Sequence, residues 1–279
     1  MSFIKNIKSL SDVPTFELEK EQLYDSRGKI VPNTFSIMRS DTRSHFGTCS
    51  DKYRPIQVDE MMDIIDTASE RLGNVEHTGY TYVGDGKRIL IQSRMNDIIS
   101  TDDDLLEGYL YTLINNTGIS ANRITPSTMR IVCSNALHLA TNAENGFRST
   151  LRHNSNFDVN VDEFVAGLES NMKTVVNFGA RMERLRNAKY SKDEMIKLTV
   201  RLLPDPKNDK EPSTRLIHKR EKVVDLFETG KGNVGLTRWD ALNALTEFET
   251  HQKFSPEKFV RTLSTSNLSN KALEILDVA

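Results

Sequence analysis

Residues 78–93, TGYTYVGDGKRILIQS, carry the clearest local pattern in this 279-residue chain. Two runs rich in β-branched, aliphatic and aromatic residues, Thr78–Val83 and Arg88–Ser93, flank the tetrapeptide Gly84-Asp85-Gly86-Lys87. An Asp-Gly pair suits a type I′ turn, because both central positions of that turn need a positive φ. The stretch therefore predicts an antiparallel β-hairpin.

Similar strand patterns lie on both sides of this hairpin, and apolar residues at helical spacing precede it. The predicted strands are Asn33–Met38, His45–Ser50, Glu107–Ile114, Thr128–Cys133 and Arg148–His153, and the predicted helices are 58–72 and Asn135–Ala143. Residues 1–160 are therefore expected to form a mixed, mostly antiparallel sheet domain with packed helices.

The hydrophobic period becomes helical after residue 160. Apolar residues predict a long helix over 161–188, and a capping box, Ser191-Lys-Asp-Glu194, predicts a second helix that ends near Leu203. Both helices (161–203) are expected to pack on the sheet. Prolines and polar residues in 204–213 predict a linker, and 214–279 a helical C-terminal region. The predicted fold class is thus α+β.

Composition limits the class of protein. Hydrophobic residues make up 37% and charged residues 27%, with a net charge of -2, which favours a packed core over disorder. No apolar run approaches the roughly 18 residues of a membrane span, and no signal peptide is evident, so a cytoplasmic protein is expected. Two cysteines, Cys49 and Cys133, are too few for a disulfide framework.

No strong catalytic signature appears in the sequence. Gly230-Lys-Gly-Asn-Val-Gly235 matches the bare spacing of a dinucleotide loop, but such a loop needs a preceding strand and here a helix is predicted. A turn between two helices is favoured, and no cofactor is expected. Asp102-Asp103-Asp104 would bind a divalent ion only if the fold supplied further oxygen ligands, and otherwise caps the next element.

Tyrosines are paired on two predicted strands. Tyr80 and Tyr82 share one strand face, and Tyr109 and Tyr111 share another, because alternate residues of a strand point the same way. Such pairs can stack on the bases of single-stranded nucleic acid. They can equally pack under helices, which is the favoured alternative.

Basic residues supply the second indication of a polyanion partner. If the strands that hold Arg130, Arg148 and Arg152 are neighbours, their guanidinium groups would line one surface beside His153, in a geometry that suits phosphate oxygens. Ion pairing with the acid-rich N-terminal part is an equally weighted alternative. The other candidate phosphate contacts are Arg43, Lys52 and Arg54, together with Lys173, Arg181 and Arg184 on the long helix. Residues 171–222 hold 14 basic and 7 acidic residues, which fits either a polyanion footprint or a solvated surface.

Four segments resemble, in the same order, a phage- and plasmid-related family known as domain of unknown function 932. They are Arg43–Pro55, Pro126–Asn135, Leu151–Asn154, and Arg238–Glu247 followed by His251. The sequence departs from the family pattern at Ala136 and Asn154. The resemblance implies a mobile-element origin and no established reaction. In outline, its α+β layout is similar to phage single-strand annealing proteins, which is a fold-level analogy.

The leading hypothesis is a non-enzymatic single-stranded DNA-binding protein that promotes annealing in recombination, acting as a homo-oligomeric ring or filament in the cytoplasm of the host. Repetition of protomers would supply avidity, because one protomer offers few phosphate contacts. The first alternative is a protein–protein interaction factor that modulates host, replication or recombination proteins. The second is a metal-dependent enzyme that processes nucleic acid.

Overall fold

A computed structural model defines the fold. It describes residues 4–73, 75–101, 104–130, 135–138, 150–153, 166, 178–206, 211–250, 255–257, 260 and 268–277. These residues form antiparallel sheets in the N-terminal part and helices in the C-terminal part. The α+β class predicted from the sequence is therefore confirmed.

A three-stranded antiparallel sheet is formed by β2 (Leu18–Tyr24), β3 (Ile30–Arg39) and β4 (His45–Ser50), in that order. The turn predicted after Arg39 joins β3 to β4, and the Arg39 N–H donates to the Ser44 carbonyl at 3.0 Å. Thr34 pairs with Ser50, so β3 and its partner β2 continue past the end of β4. The β2–β3 turn and the loop that follows β4 consequently lie at the same end of this sheet.

The larger sheet has seven strands. Its order is β1-β5-β6-β7-β8-β10, with β9 also paired to β8. The bounds are Lys5–Asn6 for β1, Val75–Val83 for β5, Arg88–Thr101 for β6, Asp104–Asn115 for β7, Asn122–Arg130 for β8, Asn135–His138 for β9 and Thr150–Leu151 for β10.

The hairpin predicted at residues 78–93 joins β5 to β6. Val83 pairs with Arg88, and the Lys87 N–H donates to the Gly84 carbonyl at 3.1 Å. Asp85 has φ 59° and Gly86 has φ 93°, the positive values that a type I′ turn requires. A side chain at Gly86 would also collide with the Phe16 ring. The Asp-Gly signal in the sequence is thus confirmed.

Helix α1 (Val58–Leu72) occupies the range predicted for it. Val58, Met61 and Ile65 are buried at helical spacing, and this apolar stripe attaches the helix to the protein core. Glu60 accepts from the Gln57 N–H at 2.8 Å at its start. Gly73 ends it with a φ of 77°, because a left-handed residue without Cβ strain closes the last turn.

The C-terminal part contains α2 (178–187), α3 (Lys192–Leu202), α4 (Thr214–Thr229), α5 (Arg238–Thr250) and α6 (Leu268–Asp277). Every residue from Trp239 to Thr246 is buried, so α5 is a central helix, which packs against α4, α6 and β9. Residues 230–235, which include three glycines, form the turn between α4 and α5, as predicted. A helix, α4, and not a strand precedes this turn. Of the predicted long helix 161–188, Ala166 and 178–188 are described; Ala166 and 178–187 are helical, and Ala188 is a bend.

Two predicted elements differ from the structure. Asn135–His138, expected to begin a helix, is strand β9, since it pairs antiparallel with Arg130–Ser127 of β8. Four residues cannot form a stable helix against such pairing, so tertiary contacts override local propensity. Of the strand predicted over Arg148–His153, the described residues form only Thr150–Leu151, because β8 pairs with these two alone.

Contacts divide the chain into two compact units. One comprises Met1–Asn96, Tyr109–Pro126 and Thr141–Lys173, and the other Asp97–Gly108, Ser127–Ala140 and Thr174–Ala279. Strands β6, β7 and β8 contribute residues to both. Among the described helices, none combines the length and apolarity that crossing a bilayer requires.

Candidate nucleic-acid interface

The loop that connects β4 to α1 lies against the end of β10. The Arg54 N–H donates to the His153 carbonyl at 3.3 Å, and the Ile56 N–H donates to Nδ1 of His153 at 3.2 Å. The rings of Tyr53 and His153 are stacked, with centroids 4.9 Å apart and planes inclined by 17°. Residues 52–54 and 152–153, remote in sequence, are thus neighbours.

His153 joins this loop to the sheet. Its Nε2 lies 3.2 Å from Oδ1 of Asn122, a residue of β8 that also accepts from the Asn115 N–H at 2.8 Å. Nδ1 accepts a hydrogen bond, so Nε2 carries the proton and the ring is neutral. Burial of the ring lowers the pKa of His153 to about 4. Both ring nitrogens are engaged inside the protein, and His153 is a positioning residue.

A lysine ammonium group on β2 also bonds to the backbone of this loop. Nζ of Lys20, on β2, donates to the carbonyls of Asp51 at 2.6 Å and Tyr53 at 3.1 Å. The ammonium group also lies 4.4 Å from the centroid of the Phe35 ring, at cation–π distance. The backbone on either side of Lys52 is therefore fixed by contacts with β2.

Three predicted phosphate contacts lie on the two backbone segments that meet at this junction. We call Lys52, Arg54 and Arg152 the loop cation cluster; all three side chains are exposed. Nη2 of Arg54 pairs with Glu60 of α1 at 2.7 Å. Neither Nζ of Lys52 nor the guanidinium of Arg152 bonds to any residue that the structure describes, so both cations are available to an external anion.

The other predicted basic residues have different surroundings. Arg43, in the β3–β4 turn, pairs with Glu19 and Glu21 of β2, at the opposite end of the three-stranded sheet. Arg181 and Arg184 of α2 both pair with Asp277 of α6, at 2.9 and 3.0 Å. The ion-pairing alternative therefore describes Arg43, whereas Arg181 and Arg184, for which the alternative was a solvated surface, are ion-paired within the C-terminal part. Arg130 ends β8, where its backbone pairs with Asn135. Arg148 and Lys173 lie outside the described residues.

The predicted tyrosine pairs pack within the protein. Tyr80 is buried beside Tyr82, with ring centroids 5.6 Å apart, and Lys5 of β1 lies over the Tyr80 ring. The hydroxyl of Tyr82 donates to the Pro14 carbonyl, and burial raises its pKa to about 12. Tyr109 and Tyr111 are buried too. Packing, the favoured alternative, describes all four rings.

Lys20 and Tyr53 shape the loop but were not among the residues predicted from the sequence. Their contacts join positions far apart in the chain: the Lys20 bond to Tyr53 spans 33 residues. A lysine within an alternating strand is ordinary, so no local signal distinguished Lys20.

No metal-binding constellation appears among the residues that the structure describes: no group of three His, Cys, Asp or Glu side chains is close enough to hold an ion. Asp102 and Asp103 lie outside that part of the chain. Cys49 is buried in β4, and burial raises the pKa of its thiol. Within the described residues, the loop cation cluster is the predicted set that the fold brings together.

Comparison with known proteins supports the resemblance seen in the sequence. The model of the family described as Domain of unknown function (DUF932) matches residues 45–273. The chain belongs to this family. No curated protein and no solved structure matches it.

All of the loop cation cluster lies inside the part matched to DUF932, as do Asn122 and His153. The β2–β3 turn precedes the matched part. The family description assigns no activity, so any function has to be argued from the geometry of the cluster.

Proposed function

We propose that this DUF932 protein binds single-stranded DNA and promotes strand annealing without catalysing a covalent step. The observation that carries the proposal is a pair of exposed cations, Lys52 and Arg152, that lie on two backbone segments joined at one junction and have no partner among the described residues. In this proposal the protein comes from a phage or plasmid and acts in the host cytoplasm with recombination or replication proteins.

A fixed backbone makes these cations suitable for phosphates. Lys20, Tyr53 and His153 hold the two segments, so a bound strand would not have to order the loop. Arg152 can bind a phosphate through two parallel N–H bonds, while Lys52 acts as a compact charge. Two or three contacts give weak binding to one protomer, and a homo-oligomer would add avidity along the strand.

The double variant K52A/R152A tests this assignment. We expect it to weaken binding of a labelled oligo-dT strand of about 30 nucleotides, measured by fluorescence anisotropy at low salt. Loss of two phosphate contacts should lower the slope of log affinity against log salt concentration by about 1.4, since each contact on a single strand contributes roughly 0.7. The melting temperature should be unchanged, because neither side chain bonds to a described residue.

The matched control is K197A/R201A, which removes two exposed cations from α3 and so changes the net charge equally. We expect it to retain affinity and salt slope. Wild-type protein that fails to bind the strand at low salt would overturn the proposal. Equal losses in both double variants would show that overall charge, and not this junction, determines binding.

A protein-interaction factor is the second candidate function, and exposed apolar side chains on α3 favour it. Ile196 and Val200 lie one helical turn apart and are both exposed, whereas large aliphatic residues are usually buried. The double variant I196D/V200D should then abolish capture of a stoichiometric protein partner from host extract in the absence of nucleic acid. Capture that survives this double variant would contradict a docking role for α3.

A further inference from the structure

We propose that the turn between β2 and β3 is a second contact for the same DNA strand, in which Tyr24 stacks on a base while Arg27 and Lys29 bind phosphates. We call residues 24–30 the hairpin tip. This inference rests on the proposed function and adds a group that would stack on bases, a role that Tyr80, which is buried, and Tyr82, whose ring packs on Tyr80 and whose hydroxyl bonds to Pro14, do not fill.

The hairpin tip is rigidly built. Oδ1 of Asp25 accepts from the N–H groups of Arg27 and Lys29, each at 2.8 Å. The Asp25 N–H donates to the Lys29 carbonyl at 2.8 Å, and Gly28 adopts a φ of 73° to close the turn. Three hydrogen bonds to one residue fix the backbone, so its side chains project from a preformed support and little entropy is lost on binding.

The outward side chains have the chemistry of a single-strand contact. Tyr24 and Ile30 are a cross-strand pair, and they are 57% and 59% exposed. The exposed Tyr24 ring presents a flat π-face on which a base can stack. Arg27 and Lys29 are exposed, and their cationic groups bond to no residue that the structure describes. An exposed aromatic ring with two exposed cations on the same turn offers stacking to a base and charge to its neighbouring phosphates.

The position of the hairpin tip agrees with a strand shared with the loop cation cluster. Both the hairpin tip and the β4–α1 loop lie beyond the paired residues Thr34 and Ser50, at the same end of the three-stranded sheet. Lys29 is five residues from Thr34, and at about 3.3 Å per residue the tip projects at most roughly 17 Å further. A short stretch of extended DNA spans that distance, so one strand can reach both sets of cations.

Variants at Tyr24 separate base contacts from phosphate contacts. We expect Y24A to weaken binding of oligo-dT roughly 10-fold, the loss of one stacked base, and Y24W to retain wild-type affinity. An abasic oligonucleotide of the same length has the same phosphates and no bases, so Y24A should bind it as the wild type does. I119A, which truncates an exposed apolar residue in another loop of the same unit, is the matched control and should bind both strands normally.

The phosphate contacts give an independent readout. We expect R27A/K29A to weaken binding of both strands and to lower the salt slope by about 1.4. Unchanged affinity of Y24A and R27A/K29A, in protein whose binding depends on Lys52 and Arg152, would overturn the hairpin tip and leave the proposed function standing. A wild type that binds neither strand would overturn both. A Y24A variant with altered sedimentation and unaltered DNA affinity would assign the tip to contacts between copies of this chain and so overturn the inference.

Discussion

The variant H153Q is expected to be less sensitive to acid than the wild type, because it lacks the contribution of a buried imidazole. In the wild type, His153 is 7% exposed and neutral, with Nδ1 committed to the Ile56 N–H. Protonation of Nδ1 would break that bond and leave a charge inside the protein. Glutamine can offer an acceptor and a donor to the same partners, but it does not titrate.

The direction of this pH dependence follows from the difference in proton binding between the folded and unfolded protein. The pKa of His153 is lowered from 6.5 to about 4 in the folded protein, so the unfolded chain binds more protons between these values. The contribution of His153 to the free energy of unfolding should therefore be fully present above pH 6.5 and should decrease as the pH falls toward 4. A shift of this size corresponds to a loss of about 3 kcal/mol in the free energy of unfolding.

Urea denaturation of the wild type and H153Q, followed by circular dichroism at neutral pH and near pH 4, measures this difference. The variant should be less stable at neutral pH, and its stability should change less on acidification. H45Q is the matched control, since His45 is exposed at the start of β4. Parallel pH profiles for the wild type and H153Q would show that the ring is not the group responsible.

Replacing Gly47 by alanine is expected to destabilise the three-stranded sheet strongly. A Cβ at this position of β4 would lie 2.2 Å from the backbone carbonyl oxygen of Thr117. Gly47 also pairs with Ile37 of β3, which is fully buried, so the strand has little freedom to retreat. Overpacking against backbone costs about 3 kcal/mol when neither side can yield.

G73A is a suitable comparison for G47A. Gly73 has a positive φ but no heavy atom near the added Cβ, so its substitution reports backbone strain alone, about 1 kcal/mol. Thermal melting of the two variants should show the larger decrease for G47A. An equal decrease would indicate that β4 and the Thr117 loop separate readily.

Elements with a local physical cause were predictable from sequence. The Asp85-Gly86 turn needs two positive φ values, and few residue types adopt them. The capping box of α3 formed as expected: the Ser191 hydroxyl accepts from the Glu194 N–H, and the Glu194 carboxylate accepts from the Ser191 N–H at 2.7 Å. Such signals act within four residues of one another, so the sequence contains them in full.

Side-chain partners could not be predicted in the same way. Arg43 and Arg152 look alike in sequence, yet Arg43 meets two glutamates of β2, whereas Arg152 is exposed without a described partner. The difference depends on strand register, because a shift by one residue would turn Glu19 and Glu21 to the other face. Strand β9 was missed for a related reason, since its pairing with β8 and not its propensity determines its structure.

The bond between Ile56 and His153 joins positions 97 residues apart. During synthesis on a ribosome, the β4–α1 loop would emerge long before His153, which completes it. Oδ1 of Asn122 would likewise lack its hydrogen bond to His153 until that residue had emerged. A chain that stopped before residue 150 would contain Lys52 but lack the His153 imidazole, which bonds to Ile56 and stacks on Tyr53 in the same loop. The loop can therefore reach its folded structure only after more than half of the polypeptide has been synthesised. Contacts between residues so far apart in sequence also slow folding.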